Sequence, residues 1–244
     1  MLEWIIPFSI LGSVGALSGA TLLLCFPEGI RKTIVPSLIS YATGTLLGAA
    51  FLGMIPNALK QAEAYPVLAT VLGGIFIFFM LEKLVIWRHC HVEECEVHST
   101  AGPLILIGDA FHNFIDGVVI AAAFLMSVSL GIATAIAVVA HEVPQEVGDF
   151  GILLDSGYSR QRAFLYNLLS SITTLPGAII AYLYLEKITT AVPYILGLSA
   201  ASFIYIATAD LIPVLHQKPG LGVSIKQFLL VLAGIATILV FHHE

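Results

Sequence analysis

Apolar residues along this chain fall into eight long runs separated by short polar stretches. They span roughly Trp4–Phe26, Ile34–Met54, Pro66–Ile86, Gly102–Met126, Leu130–Leu154, Ala163–Leu185, Ala191–Leu215 and Leu221–Phe241. Each is close to the about 20 residues that carry an α-helix across a hydrocarbon core. The pattern predicts an all-α polytopic membrane protein with eight transmembrane helices, folded as a single domain over residues 1–244. The first run has no basic residues ahead of it and is too long for a signal-peptide core, so it is expected to be the first membrane helix.

Basic residues set the expected orientation. Arg31, Lys32, Lys83, Arg88, Arg160, Arg162, Lys218 and Lys226 fall on one side of the predicted spans, and only Lys60 and Lys187 on the other. Lys and Arg concentrate on the cytoplasmic side, so the odd-numbered loops are placed inside and both termini outside.

Two of the runs carry residues that a bilayer disfavours. The fourth, GPLILIGDAFHNFIDGVVIAAAFLM, and the fifth, LGIATAIAVVAHEVPQEVGDFGILL, hold Asp109, His112, Asn113, Asp116, His141, Glu142, Gln145, Glu146 and Asp149. A charged side chain at the bilayer centre costs about 2.5–3.5 kcal/mol on insertion scales, so five carboxylates represent roughly 10 kcal/mol or more before compensation. No Lys or Arg occurs between Ala101 and Ser159, so no basic residue of these two helices supplies that compensation.

The short link Ser127–Ser129 makes the two runs antiparallel neighbours, and their polar clusters meet at a similar depth, near the membrane midplane. Residues four apart share a helix face, which stacks His112 with Asp116, His141 with Gln145, and Glu142 with Glu146. Imidazole, carboxylate and amide oxygen then converge on one volume. That donor set suits zinc, with iron, manganese or cobalt also accommodated. Pro144 lies inside the second cluster and is expected to kink its helix and free the carbonyl of Ala140 beside His141. Hydroxyls in the sixth run, Ser170, Ser171, Thr173 and Thr174, are expected to bond their own backbone carbonyls. Dense small residues in the spans, such as Gly44, Gly48 and Gly53, are explained by close helix packing.

A weak internal match links the second and seventh runs, where Gly53-Met54-Ile55-Pro56 aligns with Asp210-Leu211-Ile212-Pro213. Inverted repeats around a central site are a transporter architecture. Asp210 either lines the pathway or caps a proline-broken helix end. Between the third and fourth runs, His89, Cys90, His91, Cys95 and His98 crowd into a short acidic stretch. On the cytoplasmic side its thiols stay reduced, and it reads as a metal-capture loop over residues 89–98.

The composition narrows the function classes. With 58% hydrophobic and 11% charged residues and a mean hydropathy of +0.97, the chain is no soluble domain. Its net charge of -6 comes without any basic run, so no nucleic-acid partner is expected. There is no phosphate-cradling GxxxxGK[ST], so ATP is not the driving force. A metal gradient with the membrane potential serves instead, since a divalent cation moving inward gains about 4.6 kcal/mol per 100 mV. The competing class is an intramembrane zinc metallohydrolase, because His141-Glu142 begins like H-E-x-x-H. The fifth position is Gln145, not a second histidine, which argues against it.

The runs HNFIDG (His112–Gly117) and HEVPQEVGDF (His141–Phe150), about thirty residues apart, make the chain resemble the ZIP (Zrt/Irt-like) divalent-metal transporters, in their short prokaryotic form. The likeness extends over the eight spans, the His-rich third loop and the D-L-I-P ending of the seventh. It implies uptake of zinc, or of iron, manganese, cobalt or cadmium, toward the cytoplasm across the plasma (inner) membrane. It implies a transporter and not an enzyme, with the metal as transported substrate instead of cofactor, and usually a homodimer. The architecture implied is a three-two-three inverted repeat whose fourth and fifth helices carry a two-metal midplane site. By position, His112, Asp116, His141 and Gln145 resemble the first metal position, and Asn113, Glu142 and Glu146 the second or bridging ligands. Asp109, Asp149 and Asp210 are candidates for lining the pathway. The chain departs from the family pattern at Gln145, where a well-known branch has histidine, and at Gly53 and Asn57, where many members have His and Glu.

Overall fold

The computed structural model describes residues 1–89, 101–217 and 220–242. Among these, the chain is helical almost throughout and contains no strand. Eight helices are long and apolar enough to cross a membrane, which makes the chain a multi-pass membrane protein. They are α1 (Leu2–Leu24), α2 (Glu28–Leu59), α3 (Ala64–His89), α4 (Ala101–Met126), α5 (Val128–Asp155), α6 (Arg160–Leu185), α7 (Thr189–His216) and α8 (Leu221–His242). The candidate loop His89, Cys90, His91, Cys95 and His98 lies outside the residues whose side chains are described.

Helix ends follow local chemistry. Ser127 caps α5 by accepting from the backbone N–H of Leu130 at 3.1 Å, and Ser159 caps α6 through Arg162 at 3.4 Å. Gly157, at φ +85°, turns the chain between those two helices in a conformation that a side chain disfavours. Helix α2 begins earlier than the apolar run, because Glu28 and Lys32 pair at 2.6 Å one turn apart and extend the helix beyond the apolar stretch.

Helix α5 is assigned without interruption through Pro144. Among the described residues, three helices widen into a π turn: α1 at Leu11–Gly15, α2 at Ala49–Met54 and α7 at Ile206–Leu211, the last two ending two residues before Pro56 and Pro213. A proline supplies no N–H to the preceding turn, and a widened turn absorbs the loss without ending the helix.

The helices pair in two sets. α4 packs on α6 and α1 on α5; α2 packs on α8 and α3 on α7. α4 also packs on α5, and α2 against α5 joins the sets. Exchanging α1 with α6, α2 with α7, α3 with α8 and α4 with α5 turns each of these four pairings into another of the four. Lipid offers no hydrophobic drive for helix association, so close backbone approach must supply it. A Cβ on Gly117 would lie 2.0 Å from the Thr174 carbonyl oxygen, and one on Gly177 2.1 Å from that of Phe114, so glycines on both helices bring α4 and α6 into backbone contact. Gly44 and Gly234 do the same for α2 and α8. The C-terminal half of α4 and the facing half of α5 are sealed by fully buried residues such as Ile120, Phe124, Ala137 and Val138.

Candidate metal centre

The antiparallel pair α4 and α5 brings its two polar clusters into one buried volume. Asp116 and Glu142 are 0% exposed and His141 1%, while the His112 side chain retains 20% exposure. The Nε2 atoms of His112 and His141 stand 3.2 Å apart. His112 Nε2 lies 3.3 Å from Glu142 Oε1 and 3.8 Å from Asp116 Oδ2. His141 Nε2 lies 3.2 Å from Asp116 Oδ2 and 3.7 Å from Glu142 Oε1. A tetrahedral ion with bonds of about 2.0–2.1 Å needs its ligands about 3.3–3.4 Å apart along each edge. The five separations bracket that edge. The donor set therefore fits a zinc-like ion in both chemistry and spacing.

Surrounding groups orient these donors. His141 Nδ1 is 2.9 Å from the Ala137 carbonyl, so the proton belongs on Nδ1 and the Nε2 lone pair faces the centre. Phe203 of α7 packs edge-on against the same ring, centroids 5.9 Å apart. Among the described residues, no backbone N–H, hydroxyl or amide donates to either oxygen of Asp116 or Glu142, whose polar neighbours are the two imidazoles. A buried carboxylate without donors is costly, so a cation or a proton must serve each one.

A second group lies beside the first and shares Glu142: ligand atoms of Asp109, Glu142 and Glu146 fall within 4.8 Å of one another. Asn113 donates to Asp109 Oδ1 at 3.0 Å and Gln145 to the same oxygen at 3.3 Å. Gln145 is thus turned to Asp109, and Glu142 stands with the histidines. The amide oxygen of Asn113 accepts from Thr174 at 3.0 Å, and Ser171 donates to Glu146 Oε1. Both hydroxyls also bond carbonyls of their own helix, Thr174 to Ser171 and Ser171 to Asn167.

The remaining candidates are dispersed. Asp149 is half-buried two turns beyond His141 on α5, and Asp210 is exposed in the π turn of α7. Gly53 and Asn57 line a cavity of about 160 Å³ with Lys60, Ser127 and Ser129, at the end of α5 remote from Asp149. Sequence reading passed over Asn167, which is fully buried on α6, and Glu82 of α3, which accepts a hydrogen bond from Tyr205 of α7. A lone polar residue among apolar ones was the only signal for Asn167. Glu82 sits beside Lys83 at a helix end and gives no signal at all.

An all-helical membrane protein with a buried imidazole and carboxylate centre between two antiparallel helices belongs with proteins that handle metal ions in the bilayer. The family model described as ZIP zinc transporter matches residues 87–242. Zinc transporter ZIP13 of Pongo abelii is 31% identical over 96% of this chain and 77% of its own length. The ZIP13 homolog of Drosophila melanogaster is 30% identical over 94% and 86%. Zinc transporter zipt-7.2 of Caenorhabditis elegans is 31% identical over 81% of this chain, which spans 56% of that longer relative. The chain belongs to the ZIP family. The proteins it matches are named as transporters, not enzymes, which sets aside the hydrolase reading of His141-Glu142.

Proposed function

We propose that this protein carries a divalent cation, zinc in the first place, across the membrane toward the cytoplasm through the centre formed by His112, Asp116, His141 and Glu142. The observation that carries the reading is the four-donor set itself, with separations that match the edges of a tetrahedral zinc site. Gln145 contributes through Asp109, while Glu142 connects this position to a second one formed with Asp109 and Glu146.

Inward movement is the direction the family resemblance implies, and exposure and charge together fit a release path on the cytoplasmic side. Beyond Asp116 and His141 the helices close over fully buried apolar residues, whereas the opposite side leads past His112, Gln145 and Asp149, all partly exposed. The distribution of basic residues supports a cytoplasmic location for that opposite side. Asp149, and Asp210 on α7, then lie toward the release side. The paired packing of the eight helices, with matching π turns ahead of Pro56 and Pro213, supports an inverted repeat around α4 and α5. On that arrangement the centre sits near the midplane. We extend the proposal to a homodimer in the bilayer on the family pattern alone.

Proteoliposomes containing the pure protein and a zinc-sensitive dye inside test the function. Zinc accumulation without ATP, faster with the interior negative, is expected. Well-incorporated protein that passes no divalent metal would overturn it.

A further inference from the structure

An ion bound for the centre has to enter from the side on which the helices are closed, and several seams there are locked by close approach. A Cβ on Gly131 would lie 2.2 Å from the Phe124 ring, so α4 and α5 leave no room between them at that end. Gly117 and Gly177 join α4 to α6, and Gly44 and Gly234 join α2 to α8, with backbone against backbone. The seam between α2 and α5 is built differently. The π turn of α2 packs against α5 and contains the buried Ala49, Ala50 and Gly53. On α5, Leu130, Ala133, Ala137 and His141 share one face. Of the three that precede His141, only Leu130 is large.

Leu130 stands where this seam meets the cavity of about 160 Å³ at the start of α5. It is 5% exposed, and its Cδ1 would lie 2.9 Å from a Cβ on Gly53, so it fills the notch left by the missing side chain of that glycine. Asn57, Lys60, Ser127 and Ser129 give the cavity a polar lining, and Ala133 lies in its wall beside Leu130. Ser129 also donates to the carbonyl oxygen of Phe241, which ties the start of α5 to the end of α8. A hydroxyl-to-carbonyl bond is weak enough to break and re-form, and a leucine can leave a notch by changing rotamer.

We propose, on the reading of this chain as a transporter with Asp149 toward the cytoplasm, that this cavity is the outer mouth of the ion path. The path runs down the α2–α5 seam to His141. Leu130 is its plug, seated against Gly53 and held by the bond from Ser129 to Phe241. When that bond breaks, the start of α5 parts from α8 and α2, and the alanine face beneath the plug is uncovered. No carboxylate or imidazole lines the mouth among the described residues, so it passes the ion without holding it and leaves selection to the centre.

Two independent measurements test the plug and its tie. Ala133→Cys should react slowly with a membrane-impermeant methanethiosulfonate applied from outside, counted above the labelling of the unmodified protein's own cysteines, and about tenfold or more faster once Leu130→Ala is added. In a separate variant, Ser129→Cys with Phe241→Cys, a short cleavable bifunctional thiol reagent should cut zinc uptake into proteoliposomes by about tenfold or more, and reduction should restore it. Restoration in the same sample shows that the pair is folded. Labelling of Ala133→Cys that is indifferent to Leu130→Ala overturns the proposal, and so does undiminished uptake by a pair whose cross-link is verified by mass spectrometry. If the unmodified protein passes no zinc while Ala133→Cys still responds to Leu130→Ala, the transport reading fails and the plug stands.

Discussion

The two donor groups that meet at Glu142 are built from adjacent turns of the same two helices, yet they differ in what completes them. On one side, two imidazoles and two carboxylates stand at near-tetrahedral spacing, and a backbone carbonyl orients one ring. On the other, every side-chain donor is oxygen, and each of the outer carboxylates is steered by an amide or hydroxyl. The four-residue stagger of one helix pair thus gathers two chemically unlike donor groups, and Ser171 of the third helix, α6, hydrogen-bonds to Glu146 of the second. Neighbouring sites on one scaffold are differentiated by their supporting residues as much as by their ligands.

Glu142 is where that comparison breaks most completely. Replacing it by Ala removes a donor from both groups, and zinc uptake should fall by about a hundredfold. Transport close to normal in this variant would mean that metal does not pass through the centre. His141→Ala touches the first group alone: zinc affinity, measured by calorimetry on the purified protein, should fall by about ten- to a hundredfold. A proton on a ligating imidazole nitrogen excludes the metal, so zinc affinity should fall as the pH is lowered, and titrating zinc binding against pH checks it.

Smaller effects sharpen the role of α6. Gly177→Val places a side chain against the Phe114 carbonyl oxygen and should cost about 1–3 kcal/mol in stability by prising α6 from α4. Thermal unfolding in detergent reads it, and an unchanged midpoint would show that the two backbones are not held together there. Ser171→Ala removes a hydrogen bond to Glu146 worth about 1 kcal/mol. Its effect on zinc uptake should be much smaller than that of Glu142→Ala, and the liposome assay compares the two directly.

Much of this was legible in the chain before folding was considered. Eight apolar runs predicted eight helices, because a span of that length and composition has one stable backbone solution in lipid. Four-residue spacing on two adjacent runs placed His112 with Asp116 and Glu142 with Glu146, since helix geometry alone fixes those neighbours. The π turns ahead of Pro56 and Pro213 show the limit of such rules, because nothing in the local sequence pattern pointed to a widened turn there. Gln145 shows another limit. The spacing aligns it with His141, but the amide turns to Asp109, a residue 36 positions earlier that only packing brings near.

The sequence by itself determined the class of protein, the number of spans and the donor types buried in the fourth and fifth, because each depends on composition and on periodicity within one helix. Only the tertiary structure decided how those donors divide. The rotation of α4 against α5 sets Glu142 between both groups, and the close approach of Gly117 to Thr174 and of Gly177 to Phe114 brings α6 close enough for Ser171 to reach Glu146. Those are relations between helices, fixed by which small residues permit close approach, and no pattern within a single run encodes them.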